Sequence, residues 1–399
     1  MRVGIFTDVY FPYVSGVVTA VDSLRQGLEL NGCEVFIISI NALNKDYKRE
    51  GNLISIPGIP TPKGMYDYYF RVTYPYKAIK MVKDLNLDII HTHTEARIGM
   101  FGKSMGKKLG IPVVHTMHTM YEQCVDYITK GHLKRIGQKG AKFIVTSFLT
   151  KSVNEVITPG RKPYILLKDK YNVNQNINVI PNGINTDYLH KENYKSNDLE
   201  KLKKELGINK NDFVILWVGR LGFEKNIQAL IRMMKGLTHF NKNIKMIIVG
   251  GGPEEEKLKL LTKELDLSDN IIFTGRVENK YVGKYYNISS IFASFSTFET
   301  QGLTLIEAMA ASLPVICIND PSFLDIVTDK YDGFIVKSEE EYIERIKEIL
   351  NNKYDFNKIR DNARGTSEKY NLKNFGETVL NIYTNVLKNY RENNKKQNA

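Results

Sequence analysis

Two doubly wound α/β domains are the fold class this 399-residue chain predicts, on three observations. Short apolar runs alternate with amphipathic helical patterns along the whole length, the pattern of βα repeats on parallel sheets. The series stops and restarts once, at Ile180-Pro181-Asn182-Gly183-Ile184-Asn185, turn residues that fit neither mid-strand nor mid-helix. The length also suits two domains of ordinary size, each burying its own core.

The elements follow in order. Met1-Arg2-Val3-Gly4-Ile5-Phe6 opens the chain as a buried strand, centred on Val3–Phe6. Further strands of the first half are expected at Glu34–Ile40, Ile54–Ile56, Ile89–Ile90, Val113–His115, Phe143–Val145 and Val179–Ile180. After the hinge the second series runs through Phe213–Val218, Ile244–Val249, Ile271–Phe273, Ile291–Ala293, Val315–Ile318 and Gly333–Val336. The domains are thus expected at 1–183 and 184–372. A last helix over Lys373–Arg391 and a frayed tail, Glu392–Ala399, should follow. In such sheets the ligand loops sit at the carboxyl ends of the strands, so a cleft between the two domains is the expected site.

Composition narrows the class. A chain 42% hydrophobic and 25% charged is globular. No apolar run approaches the roughly 18–20 residues of a membrane-spanning helix, and no signal peptide is visible. Cys33, Cys124 and Cys317 are odd in number and widely separated, which suits a reducing compartment. The net charge of +12 is uneven: Met1 to Asn185 holds 24 Lys and Arg against 14 Asp and Glu, and the rest 32 against 30. Within Arg97–Lys162 the ratio is 12 to 3. Such a face attracts a polyanion, be it nucleic acid, an anionic membrane or a phosphorylated substrate, or is simply solvated.

The most informative stretch is Phe298-Glu299-Thr300-Gln301-Gly302-Leu303-Thr304-Leu305-Ile306-Glu307-Ala308. It reads as a loop carrying Glu299, then a helix starting near Gly302 or Leu303, whose N-terminal N–H groups suit a phosphate or sugar oxygen. Glu307 lies about one turn into that helix. Carboxylates accept from hydroxyls, so one can hold a sugar and the other a ribose. Gly219-Arg220-Leu221-Gly222-Phe223-Glu224-Lys225-Asn226 follows the first strand of the second domain and brings Arg220 and Lys225 to the cleft end. Two cations there suit a departing diphosphate. The metal alternative typically needs Asp-x-Asp, which occurs nowhere in the chain, so no metal cofactor is expected.

Weaker signals surround these. Gly250-Gly251-Gly252-Pro253 leaves room for close backbone approach. Pro12 to Thr19 places Gly16 at a helix start without the Gly-x-Gly-x-x-Gly fingerprint, which argues against a dinucleotide cofactor. Four of the seven histidines fall in His91-Thr92-His93 and His115-Thr116-Met117-His118, both after strands at the cleft end. A zinc site there lacks completing ligands; structural histidines or substrate contacts are the alternatives.

The Glu299-to-Glu307 spacing resembles the Glu-x7-Glu motif of the family 4 retaining glycosyltransferases, and the two-domain layout is similar to their GT-B architecture over nearly the whole chain. The resemblance implies that Arg220 and Lys225 grip the donor diphosphate and that Glu307 holds the ribose. It implies that Glu299, with the backbone at Gln301, Gly302 and Leu303, holds the sugar, and that Val277 in Arg276-Val277-Glu278 lines the nucleobase pocket. It also implies that Gly16 closes over the donor phosphate, that the last helix returns to the first domain, and that His118 is the active-site histidine. Within the family, Gly4-Ile5-Phe6-Thr7-Asp8, the Pro12–Thr19 run and His118-Thr119-Met120-Tyr121-Glu122 look like bacterial diacylglycerol glucosyltransferases.

On that resemblance the expected activity is retaining transfer of a hexose, glucose from UDP-glucose first, to diacylglycerol. The enzyme is expected in the cytoplasm, peripheral on the inner face of the cell membrane. Two segments suit docking to an anionic surface: aromatic Met65–Lys77 running into the basic amphipathic Ala78–Lys83, and Lys103–Lys108 with Lys130–Lys142. Phosphatidylinositol, a polyprenyl-linked sugar or a soluble sugar are rival acceptors, and a UDP-sugar epimerase is a rival class. Nucleic-acid binding lacks any recognisable module and is not expected.

Overall fold

The computed structural model describes residues 1–13, 15–41, 46–58, 76–122, 134–150 and 152–397. They divide into two compact units, one comprising Met1–Gly183 with the helix Leu372–Gln397, the other Ile184–Asn371.

The first unit is built on an eight-stranded sheet in the order β3-β4-β2-β1-β5-β6-β7-β8. The strands are β1 (Arg2–Thr7), β2 (Glu34–Asn41), β3 (Lys48–Glu50), β4 (Leu53–Pro57), β5 (Ile89–Thr92), β6 (Val113–Thr116), β7 (Glu155–Thr158) and β8 (Ile177–Val179). All pairs are parallel except β3 with β4, whose exposed Lys48, Arg49 and Glu50 end the sheet in charge. Strand β1 is central, registering Val3 with Val35 on one side and with Ile89 on the other. The helices Gly16–Leu30 and Leu372–Gln397 pack on each other and on one sheet face through Leu24, Leu28, Val379 and Tyr383. They approach closely because both carry glycine at the crossing: a Cβ on Gly376 would lie 2.0 Å from the Gly27 carbonyl oxygen.

Phe143–Val145, expected as a strand, lies inside the helix Lys134–Thr150. Its buried residues Ala141, Val145, Phe148 and Leu149 recur at helical spacing, whereas a three-residue apolar run carries no period of its own. The strand of this region is β7, where Val156 and Ile157 are buried. The helix Tyr76–Lys83 turns Ala78 and Val82 into the core beside Phe36 and Ile38, so its apolar face covers the sheet and is not available to a membrane. The aromatic stretch Met65–Tyr74, Cys124 and Lys130–Gly131 lie outside the described residues. The final helix continues to Gln397, past the expected fraying at Glu392; Lys395 and Lys396 complement its C-terminal dipole.

The second unit holds a six-stranded, all-parallel sheet, β11-β10-β9-β12-β13-β14. These strands are β9 (Phe213–Val218), β10 (Ile244–Val249), β11 (Ile271–Gly275), β12 (Ile291–Ser294), β13 (Val315–Ile318) and β14 (Gly333–Val336). Apolar clusters cover both faces, one around Ile215, Met246 and Phe334, the other around Leu216, Ile247 and Met309. Continuous burial on both faces explains why these strands read as unbroken apolar runs.

Candidate active site

The carboxyl ends of β9, β10 and β11 are tied backbone to backbone. Gly219 donates to the Val249 carbonyl at 3.0 Å, Gly250 to that of Gly275 at 2.9 Å, and Leu221 to that of Gly251 at 3.1 Å. Gly219 and Gly250 sit at φ 153° and 136°, and a Cβ on Gly250 would lie 1.8 Å from the Gly219 oxygen, so only glycine permits this approach. The turn Phe223–Lys225 is fixed in turn to the segment after β12: Asn226 Nδ2 donates to the Phe295 carbonyl at 3.3 Å and Ser296 Oγ to that of Glu224 at 3.4 Å. That brings Lys225 Nζ to 2.6 Å from Glu299 Oε1, with both side chains about one-quarter exposed (24% and 21%). Arg220, half-exposed, pairs with Glu224 Oε1 at 2.6 Å. Each predicted cation therefore already carries a carboxylate.

Gln301 is buried, and Gly302 is the N-cap of the helix Leu303–Ala310, which has neither a side-chain cap nor an acidic residue in its first turn. Its positive end is thus not neutralised by its own first turn. A Cβ on Gly302 would lie 2.9 Å from the Phe323 ring, so the ring fixes the loop close to the helix start. Glu307, one turn in, accepts a 2.7 Å hydrogen bond on Oε2 from the Tyr286 hydroxyl. Burial pushes its pKa up to about 7, partly offset by the Tyr286 bond. Val277 lies between β11 and the helix Asn279–Ile288, partly buried against the same cluster as Tyr286 and Leu305.

A raised carboxyl pKa means that the folded state holds this proton more tightly than the unfolded chain. Its contribution to stability is therefore full below the ordinary value of 4.5 and is lost as pH rises to about 7. Urea midpoints at pH 5 and pH 8 should accordingly differ less in Glu307→Gln than in the native protein. An equal difference would assign the pH dependence elsewhere.

In the first unit Gly16 is the exposed first residue of its helix, which Ser15 caps by accepting from Val18 N at 3.3 Å. At the ends of β5 and β6 the four histidines form one network. His91 sits 2.6 Å from the Tyr383 hydroxyl and 2.7 Å from Thr116 Oγ1. His115 lies 2.8 Å from Thr92 Oγ1 and 3.2 Å from Glu95, which also accepts from Tyr121 at 2.5 Å. His93 Nδ1 is 2.8 Å from His118 Nε2, their rings stacked at 5.1 Å. His91, His93 and His115 are fully buried and His118 partly so; burial, with the neighbouring His115, lowers the His118 pKa to about 4. Among the described residues no group of three or more His, Cys, Asp or Glu is arranged to hold a metal ion.

Sequence reasoning did not find Glu224, Tyr286, Glu95 or Tyr383. Tyr383 reaches His91 from 292 positions away, a separation that no local pattern encodes.

Residues 14–188 match the model of Glycosyltransferase Family 4 and residues 198–366 that of Glycosyl transferases group 1. The chain is 33% identical over 401 residues to alpha-monoglucosyldiacylglycerol synthase of Acholeplasma laidlawii, covering 99% of this chain and 100% of that protein. It is 35% identical to the synthase of that name from Streptococcus pneumoniae, over 97% of this chain and 86% of the relative. The fold is also that of Anabaena HepE, solved in complex with UDP and glucose (TM-score 0.73, 15% identity, 96% of this chain and 100% of that one). Sucrose-phosphate synthase from Thermosynechococcus elongatus gives a TM-score of 0.74 at 18% identity, over 96% and 98%. The chain belongs to the family 4 glycosyltransferases, with the GT-B fold.

Proposed function

We propose that this glycosyltransferase moves glucose from UDP-glucose to the free hydroxyl of diacylglycerol with retention, working at an anionic membrane surface. The single observation that carries the acceptor is the near-full-length identity of about one-third to two proteins named alpha-monoglucosyldiacylglycerol synthase. In this reading Arg220 and Lys225 hold the diphosphate, Glu307 the ribose, and the backbone at Val277 the base. Glu299, with the N–H groups around Gln301, Gly302 and Leu303, takes the sugar hydroxyls; Gly16 closes on the donor phosphate and His118 meets the sugar. The acceptor oxygen bonds the anomeric carbon as the carbon–phosphate oxygen bond breaks, and the acceptor proton leaves on that phosphate oxygen. Charge on the departing UDP is then neutralised by side chains, and we expect no metal requirement.

The helix Lys134–Thr150 supports the membrane part of this reading. Its outer face shows Ile136, Phe143 and Ile144 at 70%, 71% and 53% exposure, interleaved with Arg135 and Lys139, and the sequence has no acidic residue between Asp126 and Glu155. Apolar side chains flanked by basic ones suit shallow insertion among anionic headgroups, where each cation contributes roughly 1 kcal/mol. The neighbouring helix Arg97–Leu109 adds exposed Met100, Lys107 and Lys108. No helix among the described residues is long and apolar enough to cross a membrane.

Incubation with labelled UDP-glucose and diacylglycerol vesicles, with and without anionic lipid, tests this function. Label in the lipid phase that increases with anionic lipid is expected. Donor hydrolysis or binding without lipid label would move the acceptor to another lipid or a soluble sugar. The double variant Phe143→Asp/Ile144→Asp should reduce vesicle co-sedimentation about tenfold or more while UDP binding stays native; unchanged sedimentation would remove this helix from the membrane contact.

A further inference from the structure

Of the eight ring nitrogens in the four-histidine network, six have partners. His91 and His115 each use both nitrogens, on Tyr383 and Thr116 and on Thr92 and Glu95. His93 and His118 share one contact, Nδ1 to Nε2 at 2.8 Å. The two left over are His93 Nε2, which is buried, and His118 Nδ1; neither meets a partner among the described residues.

Two neutral imidazoles can place a proton in that contact in only two ways. If His118 donates from Nε2, His93 must carry its own proton on Nε2, where a buried N–H would find no acceptor. If His93 donates from Nδ1, its buried Nε2 is only a bare lone pair, and His118 carries its proton on Nδ1. A buried N–H without an acceptor is rarer in folded proteins than a buried acceptor without a donor, which favours the second arrangement. His93 is itself held: its backbone N–H donates to the Phe6 carbonyl at 2.9 Å and its ring lies tilted against that of His91, centroids 4.2 Å apart. His91 in turn is fixed from the C-terminal helix by Tyr383.

We propose that His93 is a positioning residue that holds His118 in the Nδ1–H tautomer, so that His118 meets the bound sugar as a hydrogen-bond donor and has no free lone pair with which to act as a base. The donor role rests on the function proposed above; the tautomer does not. With its Nε2 occupied, His118 does not itself take the acceptor proton.

The first test is a long-range proton–nitrogen correlation spectrum of the full chain labelled at histidine nitrogens, recorded at pH 7 and assigned with His93→Asn and His118→Asn. His118 protonated at Nδ1 and bare at Nε2 is expected; a proton on His118 Nε2 overturns the proposal. The second test uses amides as tautomer mimics, since asparagine places an N–H near Nδ1 and glutamine near Nε2. His118→Asn should retain about tenfold more kcat than His118→Gln, and His93→Leu should lower kcat about tenfold with little change in donor KM. His93→Asn should restore most of that loss. Equal or better turnover in His118→Gln, or native kcat in His93→Leu, contradicts the proposal. The spectrum is read without turnover, so an absence of any sugar transfer would sink the proposed function and leave the tautomer decided on its own.

Discussion

Glu299→Ala is expected to lower kcat for sugar transfer by about a hundred- to a thousandfold, the range for removing one positioned transition-state contact. UDP affinity should be unchanged or slightly tighter. Glu299 holds Lys225 at 2.6 Å, so the two neutralise each other before any donor arrives. In the proposed function a diphosphate that takes Lys225 releases Glu299 for the sugar hydroxyls, and deleting Glu299 breaks the Lys225 pair at the outset. Transfer rates at saturating donor, beside UDP titration by calorimetry, check both halves. Equal losses of turnover and UDP binding would assign Glu299 to folding or to the nucleotide.

Lys225→Ala should be the second most damaging change, weakening UDP binding about tenfold or more and turnover about a hundredfold. It removes a cation and leaves the Glu299 carboxylate facing the diphosphate with its counter-charge gone. The effects of the two substitutions should therefore not add: Lys225→Ala/Glu299→Ala should bind UDP more tightly than the sum of the two single effects gives. Coupling between contacting charges is commonly about 0.5–3 kcal/mol. Additive effects on UDP affinity would mean that the two groups act separately once donor is bound. Arg220 should respond more mildly, because Glu224 stays close to its position and the side chain is half-exposed.

The second unit was legible nearly strand by strand, because two-sided burial turns each parallel strand into a plain apolar run. The helix start at Gly302 and the placement of Glu307 one turn later were also readable, since both follow from local spacing. Phe143–Val145 failed for a physical reason: Phe143 and Ile144 are apolar but exposed, and burial alone separates a helix's outer face from a strand. The pairings Lys225–Glu299, Tyr286–Glu307 and His93–His118 were not readable either. Each joins separate elements at 21 to 74 positions, and only the fold brings the partners together. Residue types at strand ends indicated where chemistry gathers; which group neutralises or orients which emerged only with the distances.

The most direct measurement is the identity and anomeric configuration of the product. The enzyme is incubated with UDP-glucose and diacylglycerol vesicles containing anionic lipid; the lipid phase is extracted, weighed by mass spectrometry, and its anomeric proton coupling read by NMR. A single hexose on diacylglycerol in the α configuration is the predicted result. A β-linked product contradicts retention, and an unmodified lipid phase beside consumed UDP-glucose contradicts diacylglycerol as the acceptor.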